Sequence, residues 1–504
     1  MLRGPGVAST KRALRITELQ LERFAEASGD RNPLHLDDGF ARQTPFGRRI
    51  CYGALVTMAA LGTLQRAALQ HVQVLEVQFK QPVFPDEEYT ILPGTWDRES
   101  IRIEVTGRGV LAATVTVIRD ASVAPLPPAA KQSRPSYLAS PSSKTFDELS
   151  RMETPVSEHY ACRLDLLSAL AAELQADHVP DSILVWLCAA SYTVGMLIPG
   201  QDALFAGARI VRSSSPQSGT LTASVRDADD RTGLFLVDVE LDQDAASAEM
   251  TLQAFLRPEL EAPLRSEIAL HLTDSTELSG RNIVVVGASR GLGAALAGAL
   301  ATQGATVWAT FAQSEVSAER LQSEFGADRI RLLQFDAADV DQSRRAFETV
   351  RVEAGSVDGI VLSAAPPPYE SSLHPDATRS TLRFLDQAIG LTLVPLAEGL
   401  SVLSPEGSLV VVSSEALDDP PAAWPHYVIA KAAAEEAAAY CARHTQARVL
   451  VVRAPKMWTD ATNTPMGRFG AVPKEQVAVA ITRWLISGEK TPRRPAFLGS
   501  SDLI

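Results

Sequence analysis

Residues 283–293, IVVVGASRGLG, decide the fold of the C-terminal part of this 504-residue chain. Four β-branched residues in a row predict a strand buried on both faces, as in a parallel sheet. The Ala- and Leu-rich run that follows predicts a helix. Gly287 allows a sharp turn, Gly291 allows the backbone to approach a pyrophosphate, and Gly293 allows helix and strand to pack closely. The stretch therefore predicts a strand–turn–helix that binds a dinucleotide.

A second motif lies downstream. The segment SLVVVSSE (408–415) reads as another apolar strand, and Tyr427 follows its Ser414 by 13 residues. Lys431 comes four residues after Tyr427, so the two side chains share one face of a predicted helix. A phenol is a weak acid at neutral pH, and a nearby cation stabilises its phenolate form. Tyr427 can then protonate a carbonyl oxygen while a nicotinamide delivers hydride, and Ser414 can donate a second hydrogen bond to that oxygen.

The Gly-x3-Gly-x-Gly spacing and the Ser, Tyr and Lys positions together resemble the short-chain dehydrogenase/reductase family. The resemblance implies an α/β Rossmann domain, a doubly wound parallel sheet, over residues 278–504. It implies that Ser414, Tyr427 and Lys431 are catalytic. It also implies that the cofactor is bound by residues of the Gly turn and of the following strand ends, namely Gly287, Ser289, Arg290, Gly291, Gly293, Asp336 and Ala364.

The predicted cofactor is NADPH. NAD-selective enzymes place an acidic residue at the end of the second strand, where it binds the ribose hydroxyls. Here that strand, ATVWAT (305–310), ends in Thr310 and is followed by Phe311 and Ala312, with no acid until Glu315. Arg290, inside the Gly turn, is placed to pair with a 2′-phosphate.

Three places depart from this family, and in the first of them the sequence LSAA (362–365) stands where the family has NNAG. Gly390 stands where the family has an Asn that holds a water in the proton relay behind the lysine, and Lys456 follows Pro455 where the family has glycine. These departures leave three interpretations open: a slow enzyme, an unusual substrate, or a reductase domain kept partly as a scaffold.

The N-terminal segment FAEASGDRNPLHLD (24–37) resembles the MaoC-like, R-specific enoyl-thioester hydratases of the hot-dog fold, an α+β fold. The resemblance covers residues 1–122 and implies that Asp30 and His35 are the catalytic pair, one moving a proton at C3 and the other at C2. It implies that Asn32 braces the loop and that the Gly53 amide holds the thioester oxygen. The alternative for Asp30 is a capped turn in which its carboxylate accepts backbone amides.

One residue departs from the hydratase pattern. Tyr52 precedes Gly53 where the family usually has histidine, and its bulk is expected to narrow or reshape the acyl pocket.

Residues 145–260 repeat the order of the first piece, with helices at 162–200 followed by four strand-like runs. This order predicts a second hot-dog domain, joined to the first by a Pro- and Ser-rich linker at 123–144. The second domain lacks the D-x-N-P-x-H pattern, and we predict that it is non-catalytic. For Asp181 a helix-capping role is favoured over catalysis. A rival interpretation is a site split between His35 and the segment of His178 and Asp181, as in polyketide synthase dehydratases.

A second connection spans 257–280, and its segment IALHL (268–272) suggests a short strand. The net charge of −13 argues against nucleic acid or an anionic membrane surface as the main partner. The four cysteines are scattered, so neither a metal site nor a disulfide framework is expected. No apolar run has the length of a membrane span or signal peptide, and a cytoplasmic protein is expected.

The sequence thus predicts a bifunctional enzyme that acts on acyl thioesters carried by acyl carrier protein or CoA, as a homodimer. A 3-oxoacyl-thioester reductase would form the substrate of a (3R)-hydroxyacyl-thioester dehydratase in polyketide or fatty-acyl biosynthesis. Two alternatives remain: a catabolic hydratase and 3-hydroxyacyl-CoA dehydrogenase, or a non-catalytic interaction protein built from drifted enzyme domains.

Overall fold

The computed structural model describes residues 11–126, 137–213, 219–243, 246–258, 262–488 and 493–503. It divides into two compact units, Met1–Glu259 and Leu260–Ile504. Residues 127–136 of the predicted linker lie outside the described residues.

The first unit is built on one ten-stranded antiparallel sheet. Its strand order is β1-β3-β4-β5-β2-β7-β10-β9-β8-β6. The strands are β1 (Arg12–Leu14), β2 (Val72–Phe79), β3 (Tyr89–Pro93), β4 (Ser100–Gly107), β5 (Val110–Arg119), β6 (Val156–His159), β7 (Ala203–Arg212), β8 (Thr220–Asp229), β9 (Leu234–Asp242) and β10 (Ala248–Leu256).

Within the described residues, eight α-helices accompany this sheet, and the last is followed by a π-helical turn at Thr193–Leu197. They are α1 (Glu18–Ser28), α2 (Pro33–Leu36), α3 (Asp38–Arg42), α4 (Gly53–Leu61), α5 (Arg66–Leu69), α6 (Phe146–Ser150), α7 (Leu164–Glu173) and α8 (Asp181–Tyr192).

The sheet consists of two five-strand halves that meet where β2 pairs antiparallel with β7. Each half places helices before its four long strands, so the order of elements repeats along the chain. Nearly every residue of α4 and of α8 is buried. A helix that is apolar on all sides is stable only when it is enclosed, and one continuous hydrophobic core surrounds both helices.

Helix α4 ends at Leu61, and a Cβ on the next residue, Gly62, would lie 2.5 Å from the Gln175 carbonyl oxygen of the second half. One sequence prediction fails at a helix start. The short strand predicted in IALHL is wrong. Its first residues belong to α9 (Arg265–Ala269), where the Glu267 carboxylate caps the Leu264 N–H at 3.2 Å.

The second unit is a seven-stranded parallel sheet in the order β13-β12-β11-β14-β15-β16-β17, as the Rossmann prediction requires. Hydrophobic clusters cover both of its faces. Its strands are β11 (Asn282–Val286), β12 (Thr306–Phe311), β13 (Ile330–Gln334), β14 (Val357–Leu362), β15 (Leu403–Ser414), β16 (Arg448–Ala454) and β17 (Ala496–Leu498).

The helices of the second unit follow the strands on both sides of the sheet. After α9 they are α10 (Gly291–Thr302), α11 (Glu315–Phe325), α12 (Val340–Ala354), α13 (Thr378–Leu400), α14 (Pro425–His444), α15 (Pro465–Arg468), α16 (Lys474–Ser487) and α17 (Ser500–Leu503).

Within the described parts of both units, no helix combines the length and the apolar character needed to cross a bilayer. In the same residues, no three His, Cys, Asp or Glu side chains converge as metal ligands would.

Candidate active sites

The Asp30 loop begins at the end of α1. Gly29 caps this helix with a φ of 77°, which turns the chain inward and buries Asp30 to 2% exposure. Asp30 Oδ1 accepts the Asn32 N–H at 3.1 Å. Asp30 Oδ2 accepts the hydroxyl of Ser191, on α8 of the second half, at 2.6 Å. The capped turn is therefore present, but it uses only one of the two carboxylate oxygens.

The second half encloses this loop closely. Asn32 Nδ2 donates to the carbonyls of Gly195, Gly200 and Gln201 at 3.0–3.2 Å, which ties the loop to the second half. A Cβ at Gly195 would overlap the Asp30 carboxylate, so only glycine fits there without a shift. The Tyr160 hydroxyl donates to the Ser28 carbonyl at 2.9 Å, at the end of α1.

His35 lies in the short helix α2, and its tautomer follows from its contact. Its Nδ1 lies 2.8 Å from the Ile50 carbonyl oxygen, which can only accept a hydrogen bond. Nδ1 must therefore carry the proton, and Nε2 of the neutral ring is left with a lone pair. Burial lowers the pKa of His35 to about 4, and the contact with the Ile50 carbonyl opposes this shift.

Tyr52 links the two predicted catalytic residues. Its ring packs on the His35 ring with centroids 3.8 Å apart, and its hydroxyl donates to the Asp30 carbonyl oxygen at 2.7 Å. Tyr52 is fully buried. Tyr52 therefore contacts both Asp30 and His35, which the sequence alone did not indicate.

The Asp30 carboxyl group has an unusual proton affinity. Burial raises its pKa to about 7, and the hydrogen bonds from Ser191 and the Asn32 amide oppose this rise. Between pH 4 and pH 7 the pair therefore consists of a neutral imidazole and a protonated carboxyl. This arrangement suits a base at His35 and an acid at Asp30.

Gly53 is the first residue of α4, where a backbone N–H has no acceptor within the helix. A Cβ at this position would overlap the ring of Phe79, at the end of β2. The Phe79 ring meets Phe205 of β7 edge-on, with centroids 5.3 Å apart. The predicted oxyanion position is therefore bordered by an aromatic pair with one ring from each half.

The structure does not bring His178 and Asp181 together with His35, as the split site would require. His178 Nε2 lies 2.6 Å from the Leu64 carbonyl oxygen, beyond the C-terminal end of α4. Asp181 is the first residue of α8, ten positions before Ser191, which is about 15 Å along a helix. Asp181 therefore lies at the other end of α8 from the Asp30 contact. The N-cap residue of α8 is Pro180, and Asp181 stands in the first turn, so the prediction that Asp181 caps the helix is wrong.

The Gly turn of the second unit is closely packed at two of its glycines and open at the third. Gly287 has a φ of 81°, and a Cβ there would lie 2.9 Å from the Ala364 backbone. A Cβ on Gly293 would overlap the Gly287 carbonyl. A Cβ on Gly291, by contrast, would lie 3.7 Å from the nearest side-chain atom. The space at the N-terminus of α10, where helix N–H groups favour an anion, therefore fits a dinucleotide phosphate.

Tyr427 and Lys431 lie on α14, as predicted, and line a small pocket. Lys431 Nζ lies 5.6 Å from the centre of the Tyr427 ring and donates to the Val412 carbonyl of β15 at 2.9 Å. Other residues of the pocket wall are Ala364, Phe384 and Thr392.

Ser414 is the last residue of β15. Its Oγ accepts the Ala416 N–H at 3.2 Å, which leaves its hydroxyl proton able to donate. One residue earlier, the Ser413 hydroxyl donates to Glu435 at 2.6 Å, and Arg453 donates to both oxygens of the same carboxylate. Glu435 lies one helical turn after Lys431. This network, which the sequence analysis missed, fixes the strand end that carries Ser414 against α14.

Two of the remaining predicted cofactor residues, Arg290 and Asp336, contact other protein groups. Ser289 and Arg290 lie in the Gly turn, and Arg290 Nη1 forms an ion pair with Asp460 Oδ2 at 3.1 Å. Asp336 Oδ1 accepts the Ala338 N–H at 2.9 Å, as part of a turn after β13. A Cβ on Gly390 would lie 3.3 Å from Ala338 Cβ, so the position is close to this turn.

Two family matches agree with these sites. Residues 6–111 match the MaoC like domain family, and residues 281–469 match the short chain dehydrogenase family.

Among curated proteins, the chain is 56% identical over 43 residues to a 3-hydroxybutyryl-CoA dehydratase of Methylorubrum extorquens, covering 8% of this chain and 27% of that protein. It is 39% identical over 89 residues to a D-threitol dehydrogenase of Mycolicibacterium smegmatis, covering 17% of this chain and 34% of that protein. The chain thus spans about a third or less of the length of these two relatives.

Among solved structures, a short chain dehydrogenase from Burkholderia cenocepacia in complex with NADP is 23% identical, with a TM-score of 0.41. The match covers 44% of the present chain and 98% of the Burkholderia protein.

Proposed function

We propose that the two domains of this chain act on C3 of one acyl thioester. These are the MaoC-like domain at the N-terminus and the short-chain dehydrogenase domain at the C-terminus. The dehydrogenase domain reduces a 3-oxoacyl thioester to a 3-hydroxyacyl thioester. The MaoC-like domain interconverts the (3R)-hydroxyacyl and 2-enoyl thioesters. The observation that carries the proposal is that Tyr52 contacts both Asp30 and His35 in the first unit, while Tyr427 and Lys431 line one pocket in the second.

In the hydration direction, the lone pair of His35 Nε2 accepts a proton from the water that adds to C3. The protonated Asp30 carboxyl delivers a proton to C2, and the Gly53 N–H stabilises the negative charge on the thioester oxygen. Dehydration runs the same transfers in reverse. A carboxyl group with a pKa of about 7 exchanges its proton readily in both directions near neutral pH.

In the reductase, NADPH would supply the hydride when bound. The Tyr427 hydroxyl gives its proton to the carbonyl oxygen at C3, and the Ser414 hydroxyl holds that oxygen with a second hydrogen bond. Lys431 favours the phenolate that results, because its ammonium group lies on the same face of α14.

NADPH is proposed over NADH because of residues at the Gly turn. Thr310, where an acid would select NAD, is buried, and its hydroxyl accepts the Gly287 N–H at 3.2 Å. Arg290 is the charged group of the turn and is placed to bind a 2′-phosphate.

We further propose that the second half of the first unit is a second hot-dog domain that has become a non-catalytic support for the Asp30 loop. The acyl group is carried by CoA or acyl carrier protein, and the physiological direction is biosynthetic. Similarity to a 3-hydroxybutyryl-CoA dehydratase favours a short acyl chain. The protein is proposed to act as a cytoplasmic homodimer. The cysteines within the described residues are buried and form no disulfide bond, which is compatible with a reducing compartment.

One observation favours a different function. Gly390 removes the relay residue that the reductase family uses, so the second unit is compatible with a drifted, non-catalytic domain. Assays of 3-oxobutyryl and crotonyl thioesters, each on CoA and on carrier protein, distinguish these functions. Turnover of both substrates supports the bifunctional enzyme. Hydration without reduction by either NADPH or NADH supports the drifted reductase. Oxidation with NAD⁺ that is faster than reduction with NADPH supports a catabolic enzyme.

A further inference from the structure

We propose that Asp460 sets how strongly the reductase discriminates between NADPH and NADH, by competing with the 2′-phosphate for Arg290. The inference rests on the proposed function, since it concerns the cofactor of that reductase. It assigns a specificity role to a residue outside the Gly turn, 170 positions away from Arg290 in the sequence.

The ion pair connects two separate parts of the cofactor site. Arg290 is the N-cap residue of α10, and its Nη1 lies 3.1 Å from Asp460 Oδ2. The neighbouring Thr459 also packs near the turn, since its methyl group would be 3.7 Å from a Cβ on Gly291. Residues 459–460 therefore lie against the space in which the dinucleotide phosphates are expected.

Asp460 is held in this place by the loop that follows β16. The loop is closed at its base by two backbone hydrogen bonds, from Trp458 N to Val472 O and from Val472 N to Lys456 O, both 2.9 Å. The Lys456 N–H also donates to the Glu415 carboxylate at 3.0 Å. Because the base of the loop is fixed, the Asp460 carboxylate stays within reach of Arg290.

NADPH and NADH differ in the charge that they bring to the Arg290–Asp460 ion pair. A 2′-phosphate carries a charge of about −1.5 to −2 near neutral pH, as phosphate monoesters do, and must share Arg290 with a carboxylate or displace it. NADH has an uncharged hydroxyl at the same position. Both cofactors carry the pyrophosphate, so the Asp460 charge acts on both there, but only NADPH also competes for Arg290. The Asp460 charge therefore weakens the binding of NADPH more than that of NADH. The side chains are 37% and 21% exposed, so solvent screens the competition only in part.

The test measures dissociation constants for NADPH and NADH by calorimetry, with no acyl substrate present. Asp460→Asn removes the charge and keeps a similar shape. We expect roughly two- to fivefold tighter NADPH binding, as for a partly exposed charge pair, and less than about twofold change for NADH. Asp460→Ala is the second variant and is expected to shift NADPH in the same direction. Asp341→Asn, which breaks an exposed ion pair with Arg344 on α12, is the matched control and should change neither constant.

A second comparison isolates Arg290. In an Arg290→Ala background, Asp460→Asn should no longer favour NADPH over NADH, because the competing partner is gone. Unchanged NADPH binding in Asp460→Asn, an equal shift for both cofactors, or weaker NADPH binding would each overturn the inference. These outcomes differ from failure of the proposed reductase, in which the wild-type protein would bind neither dinucleotide.

Discussion

Ser191 Oγ lies 2.6 Å from Asp30 Oδ2, and both side chains are buried, although 161 positions separate them in the sequence. The contact joins α8 of the second half to the catalytic loop of the first. The second half, which lacks the D-x-N-P-x-H pattern, thus supplies the hydroxyl group that holds the predicted acid.

Ser191→Ala should move the pH dependence of hydration. In the wild type, we expect crotonyl-thioester hydration to fall above pH 7, as Asp30 loses its proton. The Ser191 hydrogen bond lowers the pKa of Asp30, so its loss should shift this decline upward by about one pH unit, the equivalent of one hydrogen bond to a charged group. The measurement is kcat/KM for hydration from pH 5 to pH 9.

Thr193→Val is the matched control for Ser191→Ala. Thr193 is buried just after α8, but its hydroxyl donates to the Ala189 carbonyl at 2.8 Å. The ionisable side chains near Asp30, namely Tyr52, Cys188 and Tyr192, have pKa values raised by burial and stay neutral over this pH range. A profile that shifts equally in both variants, or in neither, would contradict the role of Ser191.

Asp30→Asn should change the pH dependence of stability. The folded-state pKa of Asp30 is raised, so the wild type loses folding free energy as pH rises from the ordinary carboxyl pKa, about 4, to about 7. The neutral amide avoids this loss, which is on the order of a few kcal/mol. Relative to wild type, the melting temperature of Asp30→Asn should rise between pH 4 and pH 7 and stay level above it. A difference independent of pH would mean that Asp30 titrates normally.

The sequence predicted the strands and helices well wherever one element has a strong local pattern. The four β-branched residues before Gly287 and the i, i+4 spacing of Tyr427 and Lys431 gave both the parallel sheet and its site. The contacts of Ser191 and Gly195 with Asp30 were not predictable, because they depend on how the two halves pack. The small residues near the end of the apolar α8 segment were the available signal, since a small residue permits a close approach.

Three features of the structure were misread or missed in the sequence, each for a different reason. IALHL has the alternation of a strand, but the Glu267 cap starts a helix before it. The Arg290–Asp460 pair joins residues far apart in sequence, and no periodicity reveals it. Tyr52 was predicted to reshape a pocket from its size alone, whereas its hydroxyl and ring hold the catalytic loop.

Gly390→Asn should improve the reductase. The substitution restores the residue that holds a water behind Lys431 in the resembling family, and the Cβ needs only a small adjustment of Ala338, 3.3 Å away. One added hydrogen bond beside a charged group is worth about 1.5 kcal/mol, or roughly tenfold in kcat. Gly390→Ala is the control, because alanine stabilises the helix but does not restore the Asn side chain. The helix stabilisation is expected to be at most about 1 kcal/mol. Equal kcat values for both variants would show that no relay was restored.

The first unit should fold and hydrate without the second. Residues 1–259 contain the complete ten-stranded sheet and all the described partners of Asp30. Residues 1–122 alone would expose the β2 edge that pairs with β7 and would lose Ser191 and Gly195, so this fragment should be insoluble or inactive. The measurement is crotonyl-thioester hydration by each purified fragment. Full activity in the shorter fragment would show that the second half is dispensable.

The most direct test of the bifunctional account is the formation of NADPH from a crotonyl thioester and NADP⁺ by the full-length protein. This signal requires hydration at the Asp30 site and oxidation at the Tyr427 site, with the same stereochemistry at C3. Wild type should give the signal, and Asp30→Asn should lose it but regain it when (3R)-hydroxybutyryl thioester is supplied. Tyr427→Phe should give no signal with either substrate. Undiminished NADPH formation from crotonyl thioester in Asp30→Asn, or a wild type that never forms NADPH from either thioester, would contradict the account.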